Sequence, residues 1–157
     1  MSSTGVSWQT TTSSAEETEA LGAKLGANIR GGEVIGLVSD LGGGKTTFVR
    51  GLVQGMGSVD KVSSPTFTIS KLYQTGELDV HHFDFYRLPE AGIMADELAE
   101  IAGDPKCVVL IEWGDVVDHV LPESRLTVGI THTPEGKRAF DFTAAPAMAY
   151  LLEGIKA

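Results

Sequence analysis

The chain holds a single cysteine among its 157 residues. An internal disulfide is therefore excluded, and a reducing compartment is compatible. That cysteine opens the run Cys107-Val108-Val109-Leu110-Ile111, which points to core packing rather than to a reactive thiol. Long hydrophobic runs are also missing, and nothing approaches the roughly 18 apolar residues of a membrane span. The start, Met1-Ser2-Ser3-Thr4-Gly5, lacks the charged and apolar regions of a secretory signal, so a cytoplasmic protein is expected. Basic residues are scarce, with 12 Lys and Arg against 21 Asp and Glu and a net charge of −9. A protein that grips nucleic acid unaided carries a basic face. Any nucleic-acid role here is expected to pass through a protein partner. Repeats, linkers and low-complexity segments are absent. Hydrophobic content of 42% and charged content of 21% are ordinary for a globular chain, and the length suits one domain with a real core.

What is present is concentrated in Ser39-Asp40-Leu41-Gly42-Gly43-Gly44-Lys45-Thr46. It nearly matches G-x-x-x-x-G-K-[ST], the phosphate-binding loop, with Ser39 standing at the first Gly. A Cβ there restricts the turn without forbidding it while φ stays negative. Val34 to Val38 read as a short buried strand before the loop. Phe48, Val49, Leu52 and Val53 form the apolar stripe of a helix after it. Successive glycines let the backbone N–H groups of Asp40, Leu41, Gly42, Gly43 and Gly44 point inward, and the helix start adds positive potential. Lys45 then reaches the β- and γ-phosphates of a nucleotide, and the Thr46 hydroxyl is placed to ligate Mg²⁺, with Thr47 next in line. The competing reading is a Gly-rich turn with a chance Lys-Thr; strand before and helix after weigh against it.

Nucleotide chemistry also needs a carboxylate near the metal, at the C-terminal end of a neighbouring strand. Glu112 ends the apolar run 108–111, and Asp84 ends 80–83. The more apolar strand fits beside the loop strand, so Glu112 is favoured for the magnesium shell. Asp84 either shares it or orients the attacking water. Each also has an ordinary reading as a cap or ion-pair partner. Ser63-Ser64-Pro65-Thr66-Phe67-Thr68 is a Pro-fixed, hydroxyl-bearing segment that suits a loop over the γ-phosphate or a plain turn into a strand.

Around these, Ser14-Ala15-Glu16-Glu17 has capping-box spacing, and a helix is expected over 15–29 with Leu21, Leu25 and Ile29 inward. Residues 1–12 are polar and are expected to be a flexible N-terminus, with one domain over 13–155. Hairpins are expected around 74–77 and 134–136, a helical stretch within 89–102, and a short helix over 147–152. The sum is an α/β class chain: a single P-loop NTPase-like domain with a central mixed, mainly parallel sheet, two β-hairpins and flanking helices.

Read together, these segments resemble the TsaE family, bacterial ATPases needed for the threonylcarbamoyladenosine (t6A) modification of transfer RNA. The loop through Phe48 is similar to the family's G-D-L-G-A-G-K-T-T-F. Ser64-Pro65-Thr66-Phe67-Thr68 resembles S-P-T-[FY]-T, His82-Phe83-Asp84-Phe85-Tyr86-Arg87-Leu88 resembles H-F-D-x-Y-R-L, and Ile111-Glu112-Trp113-Gly114 resembles [IV]-E-W-[PG]. Gly136-Lys137-Arg138 sits where the family has a late basic turn. Ser39 and Gly43 depart from the usual Gly and Ala. The resemblance spans about 13–142.

The resemblance implies an ATP- and Mg²⁺-dependent ATPase of low intrinsic activity. It implies work with partners of the tRNA threonylcarbamoyl transferase complex, TsaB-like and TsaD-like subunits, and contact with tRNA only through them. It casts Lys45, Glu112 and Asp84 as the catalytic set, with Thr46 and Glu112 toward the metal. Thr66 falls in a mobile loop, Trp113 beside the site and Lys137 in the basic turn. Ser14 approaches the adenine or merely caps its helix. Other classes stay open at this point. A small-molecule kinase would want an Arg-rich lid, but 89–102 holds neither Arg nor Lys. A GTPase would want N-K-x-D, which is missing. A His-based metal site is weak because His81 and His82 fall on opposite strand faces. A non-catalytic nucleotide-dependent interaction module is the remaining alternative.

Overall fold

A computed structural model describes residues 5–39, 45–58, 70–84, 93–112, 121 and 124–155. Among the described residues, seven strands form one sheet, accompanied by three α-helices. They are β1 (Val6–Thr12), α1 (Ala15–Ala27), β2 (Val34–Ser39), α2 (Lys45–Gly55), β3 (Ser70–Gln74), β4 (Asp79–Asp84), α3 (Ile93–Ile101), β5 (Cys107–Glu112), β6 (Leu126–His132) and β7 (Arg138–Ala144). A 3₁₀ helix, Pro146–Leu152, follows. The strand order is β1-β7-β6-β2-β5-β4-β3. Pairings in the middle, β6–β2, β2–β5 and β5–β4, are parallel, and those at the edges are antiparallel. The mixed sheet and both hairpins agree with expectation, the parallel character being confined to the centre.

The apolar residues of β2 suit a central place between β5 and β6, with Val34, Ile35 and Leu37 buried and Val38 exposed near the strand's end. All six residues of β5 are buried. The main core lies on one face. Ile35 and Leu37 of β2, Val108 and Leu110 of β5, and Val128 and Ile130 of β6 meet Phe48, Val49, Leu52 and Val53 of α2 there. Phe48 packs against Phe140 and Phe142 of β7 with ring centroids 5.3 and 6.2 Å apart.

Two expectations need correction. Residues 6–12 are not a flexible end; β1 pairs with β7 along its whole length, from Val6 opposite Ala144 to Thr12 opposite Arg138. Val6, Trp8, Thr10 and Thr12 alternate inward, and Trp8 stacks on Phe142 at 5.6 Å. The polar residues hid a period-two pattern in which Val6 and Thr10 to Thr12 are β-branched. The helix expected over 15–29 ends at Ala27, with Asn28 as its cap. Asn28 Nδ2 donates to the carbonyls of Leu151 and Glu153, at 2.9 and 2.7 Å, which ties the helix end to the C-terminal 3₁₀ helix. That segment starts at Pro146, where a missing N–H costs nothing. The same corner is closed by buried Glu33. It accepts from the backbone N–H groups of Arg30 and Gly31 and from the Tyr150 hydroxyl. Burial, then the bond to Glu33 and its charge, push the Tyr150 hydroxyl well above the usual tyrosine range.

Candidate functional site

The site forms where the C-terminal ends of β2, β5 and β4 meet the start of α2, the usual crevice of an open α/β sheet. Lys45 is the first residue of α2, reached from Ser39 through residues 40–44. In the parallel ladders Glu112 lies opposite Leu37 on β2 and Asp84 on β4. The fold therefore places Glu112 on the strand next to the loop strand and Asp84 one strand further out, in register with Glu112.

Glu112 is 3% exposed. Its Oε1 lies 2.9 Å from Lys45 Nζ, and its Oε2 lies 2.5 Å from His82 Nε2. The ring continues through Nδ1 to the Tyr73 hydroxyl, at 3.1 Å. The chain Tyr73–His82–Glu112–Lys45 thus draws on β3, β4, β5 and α2. Burial is the largest influence on the Glu112 carboxyl and pushes its pKa up. The hydrogen bond and charge of His82, followed by those of Lys45, push it down and prevail, so it is held below its ordinary value. An ionised carboxylate this deep is tolerable only because both its oxygens are engaged.

A second, smaller feature adjoins this one. A cavity of about 80 Å³ is lined by Ser14, Thr18, Thr47, Gly136 and Arg138, among others. Ser14 caps α1, its hydroxyl accepting from Glu17 N at 3.1 Å, while Ser13 N donates to Glu17 Oε1 at 2.8 Å. The capping role expected of Ser14 is real, and Ser14 also lines the cavity. Lys137 lies in the β6–β7 turn, its backbone N–H donating to Thr133 Oγ1. Its neighbour Arg138 is the basic residue that lines the cavity. Thr47 joins the two features, since it lies two residues from Lys45 in the first turn of α2.

Oxygen atoms are what a hard cation such as Mg²⁺ could meet at this end of the sheet. Among the described residues no group of three or more His, Cys, Asp or Glu side chains is arranged to hold a metal. What the strand ends and α2 offer are oxygens: the Glu112 carboxylate, the Asp84 carboxylate and the Thr46 hydroxyl. Mg²⁺ ordinarily takes one or two such protein ligands and completes its shell from phosphates and water.

Asp40, Leu41, Gly42, Gly43, Gly44, Thr66 and Trp113 fall outside the described residues. Two buried members of the site were not anticipated. From sequence, His82 has no role beyond its place in the H-F-D-x-Y-R-L resemblance and a weak His-based metal site, and Tyr73 has none. The available signal was alternation: His82 and Asp84 are two apart in one strand and so share a face with Glu112.

Residues 12–140 match the family described as "Threonylcarbamoyl adenosine biosynthesis protein TsaE". A Bacillus subtilis relative named tRNA threonylcarbamoyladenosine biosynthesis protein TsaE is 38% identical over 133 residues, covering 82% of this chain and 80% of the relative. A Treponema pallidum protein of the same name is 37% identical, covering 80% of this chain and 92% of its own length. In three dimensions the chain is similar to the crystal structure of Bacillus subtilis YdiB. The TM-score is 0.78 and the identity 32%, with 99% of this chain and 97% of the other covered.

Proposed function

The chain belongs to the TsaE family, and from that premise we propose that it is the ATP-binding, ATP-hydrolysing subunit serving t6A biosynthesis on tRNA. The observation that carries the reading is the Lys45–Glu112 pair at the start of α2. A lysine with this place in a strand–loop–helix unit, held by a buried carboxylate on the neighbouring strand, matches the two charged parts that a magnesium nucleotide requires.

In this reading the N–H groups of residues 40–44 cradle the phosphates and Lys45 moves from Glu112 to the phosphate oxygens. Thr46 and Glu112 would hold Mg²⁺, with Asp84 beside them to share the shell or to orient water. Bound there, the ion would neutralise charge on the phosphate oxygens. The cavity of Ser14, Thr47 and Arg138 would receive the base side of the nucleotide. Thr66 and Trp113 keep the roles that family resemblance gives them, loop over the phosphate and neighbour of the site. ATP is preferred to GTP, because the guanine-reading N-K-x-D is missing from the chain. TsaB-like and TsaD-like partners carry the transferase chemistry and the RNA, and turnover by the isolated chain is slow.

The test is ATP turnover by the purified chain, alone and with the partner subunits, under saturating magnesium. A low rate that rises with partners supports the reading. Absence of ATP binding and turnover in both arms refutes it.

A further inference from the structure

The two oxygens of Glu112 have different partners, and only one partner is required elsewhere. Lys45 holds Oε1, but a phosphate-bound Lys45 can no longer do so. His82 holds Oε2. An ionised carboxylate only accepts hydrogen bonds, so the hydrogen between them sits on Nε2. The other ring nitrogen meets the Tyr73 hydroxyl at 3.1 Å, which fixes the ring against rotation. Tyr73, His82 and Glu112 are 2%, 1% and 3% exposed. Solvent therefore has little access to replace either bond. The register supports the same geometry. His82 lies opposite Leu110 on β5, two residues before Glu112, and Tyr73 lies opposite Val80, two residues before His82. Among the described residues no buried side-chain polar atom is left without a partner.

We propose that His82, backed by Tyr73, is a positioning residue. It holds Oε2 so that Oε1 stays aimed at a point occupied first by Lys45 and then by the magnesium shell. The inference rests on the nucleotide-site reading above and goes beyond it. Without His82, departure of Lys45 would leave the carboxylate free to turn, and its affinity for a magnesium nucleotide would fall. Groups that orient a metal ligand from behind typically contribute about 10–100-fold to metal affinity.

The experiment is a magnesium titration of nucleotide binding, using a fluorescent, non-hydrolysable ATP analogue, with folding confirmed by circular dichroism. For His82→Leu the magnesium concentration at half-saturation should rise about tenfold. Affinity for the analogue in EDTA should stay within about twofold of wild type, since Lys45 still meets the phosphates. His82→Gln, whose amide N–H can reach Oε2, should recover most of the loss. Tyr73→Phe should give a smaller rise, about threefold, because the ring keeps its bond to Glu112. A wild-type magnesium requirement in folded His82→Leu overturns the proposal, as does an equal loss of affinity in EDTA. Should His82→Leu not fold, Tyr73→Phe decides alone, and no shift there overturns it. A wild-type chain that binds no analogue with or without magnesium removes the site reading itself, and this inference with it.

Discussion

Lys45 has a choice between two anions, a buried carboxylate and a phosphate. Its pairing with Glu112 at 2.9 Å neutralises a charge that would otherwise be costly to bury. Lys45→Ala should therefore act twice. It should weaken ATP·Mg²⁺ binding by about tenfold to a hundredfold, the range expected for losing a hydrogen bond to a charged group. It should also lower stability, because Glu112 keeps only His82. Calorimetry of the folded variant beside its urea denaturation separates the two. The pH behaviour follows from the lowered Glu112 pKa. A group whose pKa falls on folding stabilises the fold above its ordinary value, 4.5, and that contribution is lost as pH drops through the folded value. Glu112→Gln should accordingly flatten the acid limb of the stability curve below pH 4.5, measured with chelator present. An unchanged acid limb would mean that other carboxylates set it. At this scale the positions of Lys45 and Thr46 at the start of α2, and of Asp84 and Glu112 at the ends of β4 and β5, were legible, because each is marked by a few consecutive residues. His82 and Tyr73 were not, because their role depends on the register of β3, β4 and β5, which no local pattern states.

Helices α1 and α2 meet backbone to backbone through four glycines. A Cβ on Gly22 would lie 2.3 Å from the Phe48 carbonyl oxygen, and one on Gly26 would lie 2.1 Å from that of Leu52. From the other side, a Cβ on Gly51 would lie 2.1 Å from the Glu19 carbonyl oxygen, and one on Gly55 would lie 2.3 Å from that of Ala23. The i, i+4 spacing on each helix puts each pair on one face. This contact fixes the direction of α2, whose first residue is Lys45. Gly51→Ala should cost about 1–3 kcal/mol or more in urea unfolding, since helix backbones cannot yield as a side chain does. It should also weaken nucleotide binding, though it is remote from the ligand. Stability equal to wild type would show that the helices can separate freely. Among elements, α1 was readable from its capping box and β5 from its unbroken apolar run. β1 was missed because Ser7, Gln9 and the threonines masked its alternation. Its strand character comes from pairing with β7, more than a hundred residues away.

The whole molecule carries a net charge of −9. Tight RNA binding by phosphate neutralisation needs clustered Lys and Arg, and it weakens steeply with salt. The isolated chain should therefore show no salt-sensitive binding of tRNA in a filter or mobility assay at physiological ionic strength, whereas a complex with its partners should. Tight binding by the chain alone would assign the RNA contact to this subunit. The fold as a whole was predictable because its central strands and the loop motif are local signals. One edge was not, since β1 depends on a partner strand more than a hundred residues away, whereas the other, β3, pairs with β4 across a short turn. The most direct test of the account is the t6A content of tRNA, by mass spectrometry of nucleosides from cells depleted of this chain and complemented in turn with wild type and Lys45→Ala. The account predicts a fall on depletion, recovery with wild type and none with Lys45→Ala. Unchanged t6A on depletion, or full recovery with Lys45→Ala, would contradict it.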